Sequence, residues 1–272
     1  KLLCHYCGGE YPVPALCPEC GSRYIKYFGT GTERIEEEVA KLFPQARVTR
    51  MDMDTVTAKD SHMHILAEFA RGEKNVLVGT QMVTKGLDFP NVLLVGVIAA
   101  DIGLYMPDYR SAERTFQLIT QVGGRAGRNE RDGTVIVQTY SPKHYSIALA
   151  AKHDYDGFYD YELEMRRRSQ FPPFGDYVRA VFSSSDEELA KKCAIDAKGR
   201  FGEYIKGFKP IYFGASRAPM GKLKGVYRWQ VILRIARDNK SDAMLQDFIN
   251  VCDKSIVRNV FVSVDVNPAN LI

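Results

Sequence analysis

Between about Tyr27 and Gln138, short apolar runs alternate with stretches of helical period, and this alternation leaves few folds open. Val48–Met51, Asn75–Gly79, Val92–Ala99 and Val135–Gln138 read as strands, the second and third as buried ones. Ile35, Val39, Leu42 and Phe43 mark one face of a helix that opens at a capping-box spacing, Thr30 to Glu33. Further helices are expected over about His62–Arg71, with Ile65, Leu66 and Phe69 inward, and over Ser111–Val122. Strands separated by helices imply a parallel α/β sheet with ligands at the carboxyl ends of the strands. Thr80, Asp101 and Thr139 each sit just past such an end. His62 and His64 read as exposed helix residues.

At 272 residues the chain has room for two domains, and 45% hydrophobic with 26% charged residues is an ordinary globular balance. A net charge of +4 permits a nucleic-acid partner without arguing strongly for one. No apolar run reaches membrane-spanning length. The first residues lie inside a motif, so a preceding segment is expected and targeting is not readable from them.

Four of the six cysteines fall within residues 4–20, as the turns Cys4-His5-Tyr6-Cys7-Gly8 and Cys17-Pro18-Glu19-Cys20-Gly21. A two-residue gap lets both thiolates face one metal, and the following glycine lets the turn close around them. The pattern reads as zinc usage in a reducing cytoplasm, with His5 a spacer. The pairs either share one zinc or each form half of a site completed elsewhere.

The stretch Gln121-Val122-Gly123-Gly124-Arg125-Ala126-Gly127-Arg128 sets two arginines three residues apart, on one face if helical. Arginine's planar donor fork suits phosphate oxygens and can stabilise charge on a transferred phosphoryl group. A basic, glycine-rich helix end on a solvated surface is the other reading of this stretch. No Gly-x-x-x-x-Gly-Lys-Ser/Thr loop occurs in the 272 residues, and no acidic metal motif follows a strand. Asp52 and Asp54 read as solvated loop carboxylates. The sheet alone is therefore not expected to hold Mg-ATP, and the arginine stretch reads as one half of a two-part nucleotide site.

Toward the carboxyl end, Phe158–Arg168 reads as an amphipathic helix closing on three solvated arginines, and Phe171-Pro172-Pro173-Phe174-Gly175 as a linker. Strand 178–183, helix 186–205, strands 210–214 and 227–235, helix 241–253 and strand 260–266 give a βαββαβ order, which suggests a ferredoxin-like α+β domain. Cys193 and Cys252 are expected to be packed thiols, and Ala218–Gly225 a mobile hairpin tip. Tyr227-Arg228-Trp229-Gln230 is read as a strand edge where aromatic and basic groups could meet single-stranded DNA or an acidic peptide; a core Trp229 beside an exposed Arg228 is the alternative.

Gln121-x-x-Gly124-Arg125-x-Gly127-Arg128 resembles motif VI of superfamily-2 helicases, and Gly79-Thr80-Gln81-Met82-x-x-Lys85-Gly86-x-Asp88-Phe89-Pro90 resembles their motif V. With the cysteine pairs, Phe28-Gly29-Thr30-Gly31-Thr32-Glu33 and Asp108-Tyr109-Arg110-Ser111-Ala112-Glu113-Arg114, the order resembles the PriA replication-restart helicases from Cys4 to near the end. The resemblance implies a zinc-knuckle segment (1–26), a RecA-like helicase lobe 2 (27–168) and a carboxy-terminal α+β domain (169–272). It implies an ATP-dependent 3′→5′ DNA helicase acting at stalled forks and starting primosome assembly, or a non-catalytic module that binds fork DNA and partners.

By position, Arg125 and Arg128 would reach ATP phosphates held by an absent first lobe, Arg128 as the arginine finger. Gln121, Gly124, Gly86 and Asp88 would lie at the nucleotide, with ATP and Mg shared between lobes. Thr80, Gln81 and Lys85 would face a DNA strand, with Arg228 and Trp229 a second DNA contact. Cys4, Cys7, Cys17 and Cys20 would hold zinc; family members carry more cysteine pairs in two interleaved sites, which would put these two pairs on different ions. Implied partners are branched and single-stranded DNA, single-stranded-DNA-binding protein and primosome proteins, with no membrane, for a cytoplasmic monomer.

Overall fold

The computed structural model describes residues 2–3, 10–12, 14–17, 20–23, 31–52, 61–84, 91–106, 108–124 and 133–271. Cys4, Cys7, Asp54, Lys85, Gly86, Asp88, Arg125 and Arg128 lie outside these residues. The chain divides into two compact units: Tyr24–Met106 with Ser111–Phe158, and Lys1–Arg23 with Pro107–Arg110 and Tyr159–Ile272.

The chain opens with an antiparallel pair, β1 (Leu2–Leu3) and β2 (Glu10–Tyr11), which brackets the first cysteine pair. In the second pair, the Gly21 N–H donates to the Cys17 carbonyl at 2.8 Å, and Gly21 takes φ +67°, a conformation glycine adopts without strain.

The first-named unit is built from parallel strand pairs and helices. Helix α1 (Thr32–Leu42) begins after an extended Gly31 that makes no side-chain cap, and Thr30 of the expected capping box lies outside the described residues. Leu42 and Phe43, expected on the inward face, are exposed where the helix unwinds at its carboxyl end. Strand β3 (Val48–Met51) pairs in parallel with β4 (Val76–Gly79), with α2 (Ser61–Ala70) between them in sequence. His62 and His64 lie on α2, and His64 is exposed.

Asp52, expected to be solvated, is buried: it accepts a hydrogen bond from the Thr32 hydroxyl and lies 3.3 Å from Arg50 Nε. It ties the start of α1 to the end of β3. Strand β5 (Leu94–Val97) pairs in parallel with β6 (Thr134–Val137). The sequence reads β5 as buried, yet Leu94 is 62% exposed and Ile136 58% exposed, so one face of this pair is open among the described residues. Helices α3 (Asp101–Leu104), α4 (Ser111–Gly123), α5 (Tyr145–Ala150) and the first turn of α6 (Tyr155–Ser169) enclose the core, where Leu104, Phe116, Ile119, Ile147, Ala150 and Phe158 meet.

The carboxy-terminal unit is a four-stranded antiparallel sheet in the order β10-β7-β9-β8. Its chain order is β7 (Gly175–Ser184), α7 (Glu187–Tyr204), β8 (Tyr212–Leu223), β9 (Val226–Ala236), α8 (Ser241–Lys254) and β10 (Phe261–Val266). Alternation puts Val178, Ala180 and Phe182 of β7 with Val231, Leu233 and Ile235 of β9 on one face. There they pack with Ala197 and Phe201 of α7 and Leu245 and Phe248 of α8. Asp186 caps α7 by accepting from the Glu188 and Leu189 N–H groups. Cys193 and Cys252 sit in this core as expected, and burial pushes the Cys252 thiol up to about 12.

Several expectations change here. Ala218–Leu223 is strand rather than mobile tip; the turn is only Lys224-Gly225, with a register shift between Arg217 and Lys222. Strand β9 lies between β7 and β8, so Tyr227–Gln230 is interior and not a sheet edge. The arginines at the end of α6 are paired, Arg166 with buried Glu162 at 2.8 Å and Arg167 and Arg168 with Glu164. The proline run is packed rather than a free linker: Phe171 stacks on Tyr109, and the Arg234 guanidinium lies 3.9 Å from the centre of the Phe171 ring. Among the described residues no helix is long and apolar enough to cross a membrane.

Candidate functional site

Two parallel strands of the first unit deliver polar groups at their carboxyl ends. Thr80 and Gln81 follow β4 and are exposed, with Gln81 opening a single 3-10 turn that ends at Thr84. The Val83 N–H donates to the Thr80 carbonyl at 3.1 Å, which fixes the turn and leaves the Thr80 side chain on the surface. Past β5, Asp101 is fully buried; it accepts from the Thr139 hydroxyl at 3.0 Å and the Tyr140 N–H at 3.0 Å. Burial opposes its charge, but the Tyr140 and Thr139 hydrogen bonds prevail and hold its carboxyl below the usual range. Asp101 therefore cross-links the ends of β5 and β6 rather than facing a ligand.

Helix α4 carries the start of the arginine stretch. Ser111, Thr115, Phe116, Ile119 and Val122 form its buried face, so Gln121 and the following Gly124 are exposed at its carboxyl end. The first glycine of the pair has a packing reason: a Cβ on Gly123 would lie 2.9 Å from the His153 ring. Arg125 and Arg128 follow directly, outside the described residues.

In the carboxy-terminal unit, Trp229 is partly buried and packs against the core, facing Phe182 across β7. The Lys191 ammonium lies 5.8 Å from its ring centre, and its indole N–H is buried with no hydrogen-bond partner among the described residues. Arg228 is half-buried on the opposite face, which also bears Arg179, Gln230 and Arg234. Arg179 is only 4% exposed; its Nε donates to Gln230 Oε1 at 2.9 Å, and Gln230 donates in turn to Ser216. Burial, then the Arg228 charge, lowers the Arg179 pKa.

Sequence reading missed Arg179 and Arg234. An arginine alternating with Val178, Ala180 and Phe182 was the available signal, since a charge there must face away from the apolar side. Nor did sequence place Asp108-Tyr109, which packs with the carboxy-terminal unit. Asp108 accepts from the Leu271 N–H at 3.1 Å, and the Tyr109 hydroxyl donates to the Pro268 carbonyl at 3.3 Å.

Of the thiols, Cys17 is half-buried and Cys20 exposed in the turn closed by Gly21. Among the described residues no cluster of three or more metal-ligating side chains occurs.

Residues 21–130 match the helicase conserved C-terminal domain family, and residues 167–269 match the primosomal protein N C-terminal domain family. Over 272 residues the chain is 47% identical to the replication restart protein PriA of Bacillus subtilis, covering 98% of this chain and 33% of that protein. It is 40% identical to the PriA of Synechocystis over 99% of this chain and 32% of that protein. It is 35% identical to that of Borreliella burgdorferi over 100% of this chain and 40% of that protein. The chain thus spans about a third of the length of the first two of these curated relatives.

Proposed function

The chain belongs to the PriA family of replication restart proteins, and on that premise we propose that it is the second motor lobe, zinc module and carboxy-terminal domain of an ATP-dependent 3′→5′ DNA helicase. The helicase acts on branched and single-stranded DNA at stalled forks in the cytoplasm. It starts primosome assembly with single-stranded-DNA-binding protein and primosome proteins, and works as a monomer.

One observation carries the reading. The helicase-domain match, residues 21–130, takes in both the exposed Thr80-Gln81 turn past β4 and the exposed end of α4 at Gln121 and Gly124. Arg125 and Arg128 then meet the phosphates of ATP bound with Mg on a lobe these 272 residues do not contain. Arg128 acts as the finger that stabilises charge on the transferred phosphoryl group. Gln121, Gly124, Gly86 and Asp88 border the nucleotide, and Thr80, Gln81 and Lys85 hold one DNA strand by its phosphates. Closing of the two lobes on ATP and reopening after hydrolysis advance this lobe along the strand.

The Cys17–Gly21 turn supports a zinc site shared by Cys17 and Cys20 with Cys4 and Cys7 or with cysteines elsewhere. Bound zinc would supply folding constraint to that segment. The sheet order β10-β7-β9-β8, with both helices on one face, supports a ferredoxin-like domain, with Arg228 as its DNA contact; Trp229 lies on the opposite face, against the core.

The test is ATP hydrolysis. The chain alone has no turnover, and joining it to a phosphate-loop lobe restores DNA-stimulated turnover. Arg128→Ala in the joined protein lowers that turnover by about 10³ or more. Full turnover in the variant would remove Arg128 from the mechanism. A joined protein that binds forks without hydrolysing ATP would favour the non-catalytic DNA- and partner-binding reading.

A further inference from the structure

The connection between α3 and α4 changes unit along its length. Met106 and Ser111 belong with these two helices, whereas residues 108–110 between them belong to the carboxy-terminal unit. A distant stretch of backbone holds those residues. The Leu271 N–H donates to Asp108 Oδ2 at 3.1 Å, and the Tyr109 hydroxyl donates to the Pro268 carbonyl at 3.3 Å. Phe171 stacks on the Tyr109 ring at 5.2 Å, and the Arg166 guanidinium lies 5.4 Å from its centre.

The stretch after β10 is itself anchored at its start. The Asn267 N–H donates to the Tyr177 carbonyl at 2.6 Å, and its side-chain oxygen accepts from the Tyr177 N–H at 2.8 Å. Its Nδ2 donates to Asp176 Oδ1 at 2.9 Å. Asn267 takes φ +50°, a conformation asparagine tolerates better than most residues. Pro268 and Leu271 are buried. Residues 267–271 thus form a strap, fastened to β7 at one end and to Asp108 at the other.

The other Asp108 oxygen serves the start of α4. The Arg110 N–H, one residue before that helix, donates to Asp108 Oδ1 at 2.9 Å. The Ser111 hydroxyl donates to the Met106 carbonyl at 2.7 Å, and the Thr115 hydroxyl to the Ser111 carbonyl at 2.9 Å. One carboxylate therefore links the strap to the residue that precedes α4. An asparagine has a single acceptor oxygen and could keep only one of the two bonds. Helix α4 runs 13 residues, about 20 Å, and a helix moves as a rigid element. A displaced first turn carries with it the last, where Gln121 sits and from which the chain runs on to Arg125 and Arg128.

We propose that Asp108 is a positioning residue for ATP hydrolysis: the strap 267–271 holds the start of α4 through it and so sets where the arginines beyond the helix lie. The inference rests on the nucleotide roles of Arg125 and Arg128 proposed above and adds a dependence of turnover on the carboxy-terminal strap.

The test uses the chain joined to its phosphate-loop lobe, assayed for DNA-stimulated ATP hydrolysis below the melting transition of each variant. Asp108→Asn lowers kcat about 10- to 100-fold at unchanged KM for ATP, as loss of alignment in the transition state does. Leu271→Pro lacks the N–H that Asp108 accepts from and gives a similar loss. Combined, the two lose no more than the more severe one alone, because both break the same link. In an Arg128→Ala background Asp108→Asn causes no further loss, because a misplaced finger and an absent one are equivalent.

Full turnover in both Asp108→Asn and Leu271→Pro, with Arg128→Ala impaired, would overturn the positioning role and leave the helicase reading intact. So would a raised KM at unchanged kcat, or an equal further loss in the Arg128→Ala background, which would mark a general structural defect. Absence of ATP turnover in the unaltered joined protein would overturn the proposed function, and this inference with it.

Discussion

The two units spend their apolar residues differently. The carboxy-terminal unit closes on itself: every strand of its sheet is paired, two helices cover one face, and Phe182, Phe201, Phe248 and Leu233 are fully buried. In the unit that carries the helicase-domain match the described strands come as two separate parallel pairs around a smaller cluster, and Leu94 and Ile136 stand in the open. Its polar groups sit at strand and helix ends, with Thr80, Gln81 and Gln121 exposed. A region that invests in internal burial can fold alone and offer a fixed surface. A region that keeps polar groups at exposed ends leaves them open to whatever it meets there.

The strongest way to break this contrast is to remove core from the self-contained unit. Phe248 meets Phe201 edge-on at 5.0 Å and is fully buried. Phe248→Ala should cost about 3–5 kcal/mol. The single tryptophan makes the measurement specific, because Trp229 packs on this core and reports its melting. A fluorescence-detected Tm that stays put would mean that this core does not hold the unit together.

Much of that unit was legible because its pattern is local. Val178/Ala180/Phe182 and Val231/Leu233/Ile235 alternate cleanly, and the helical faces around Cys193 and Cys252 follow from spacing alone. The same alternation puts Trp229 on the core face, which weighs against the edge reading. Pro219 and Gly221 made β8 look like a loop, yet an edge strand tolerates both, especially beside a register shift. Asp108 and Tyr109 were not legible at all: their partners Leu271 and Pro268 lie 163 and 159 residues away, and no local period encodes such a contact. At the candidate site, sequence located Thr80, Gln121 and Asp101 at element ends. It did not show that Asp101 is consumed by Thr139 and Tyr140, because that depends on two parallel strands ending side by side.

A smaller effect sharpens the other side of the contrast. Asp101 is the buried charge that holds the ends of β5 and β6 together, and Asp101→Asn should cost about 2–3 kcal/mol by weakening hydrogen bonds to a charged acceptor. Its folded-state pKa is depressed. Its contribution is therefore complete above the ordinary aspartate value near ~3.9 and is lost as pH falls below that toward the folded value. Hydrogen exchange at the amides of β5 and β6 should show wild type losing protection in that acid window and the asparagine variant lacking the change. Identical acid profiles would mean that Asp101 does not carry the charge assigned to it.

The smallest effect is the most searching. If Leu94 truly stands in solvent, Leu94→Ser in this chain should change stability by no more than about 0.5 kcal/mol, as surface substitutions do. A leucine buried against another element would instead cost several kcal/mol on losing its side chain. Hydrogen exchange of β6, which pairs with β5 through Leu94↔Thr134 and Gly96↔Ile136, separates the two cases. Unchanged protection keeps the unit of β5 and β6 as the one with an open face. A large loss of protection would mean that the face is covered within this chain, and the two units would then differ in the size of their cores rather than in how completely they close.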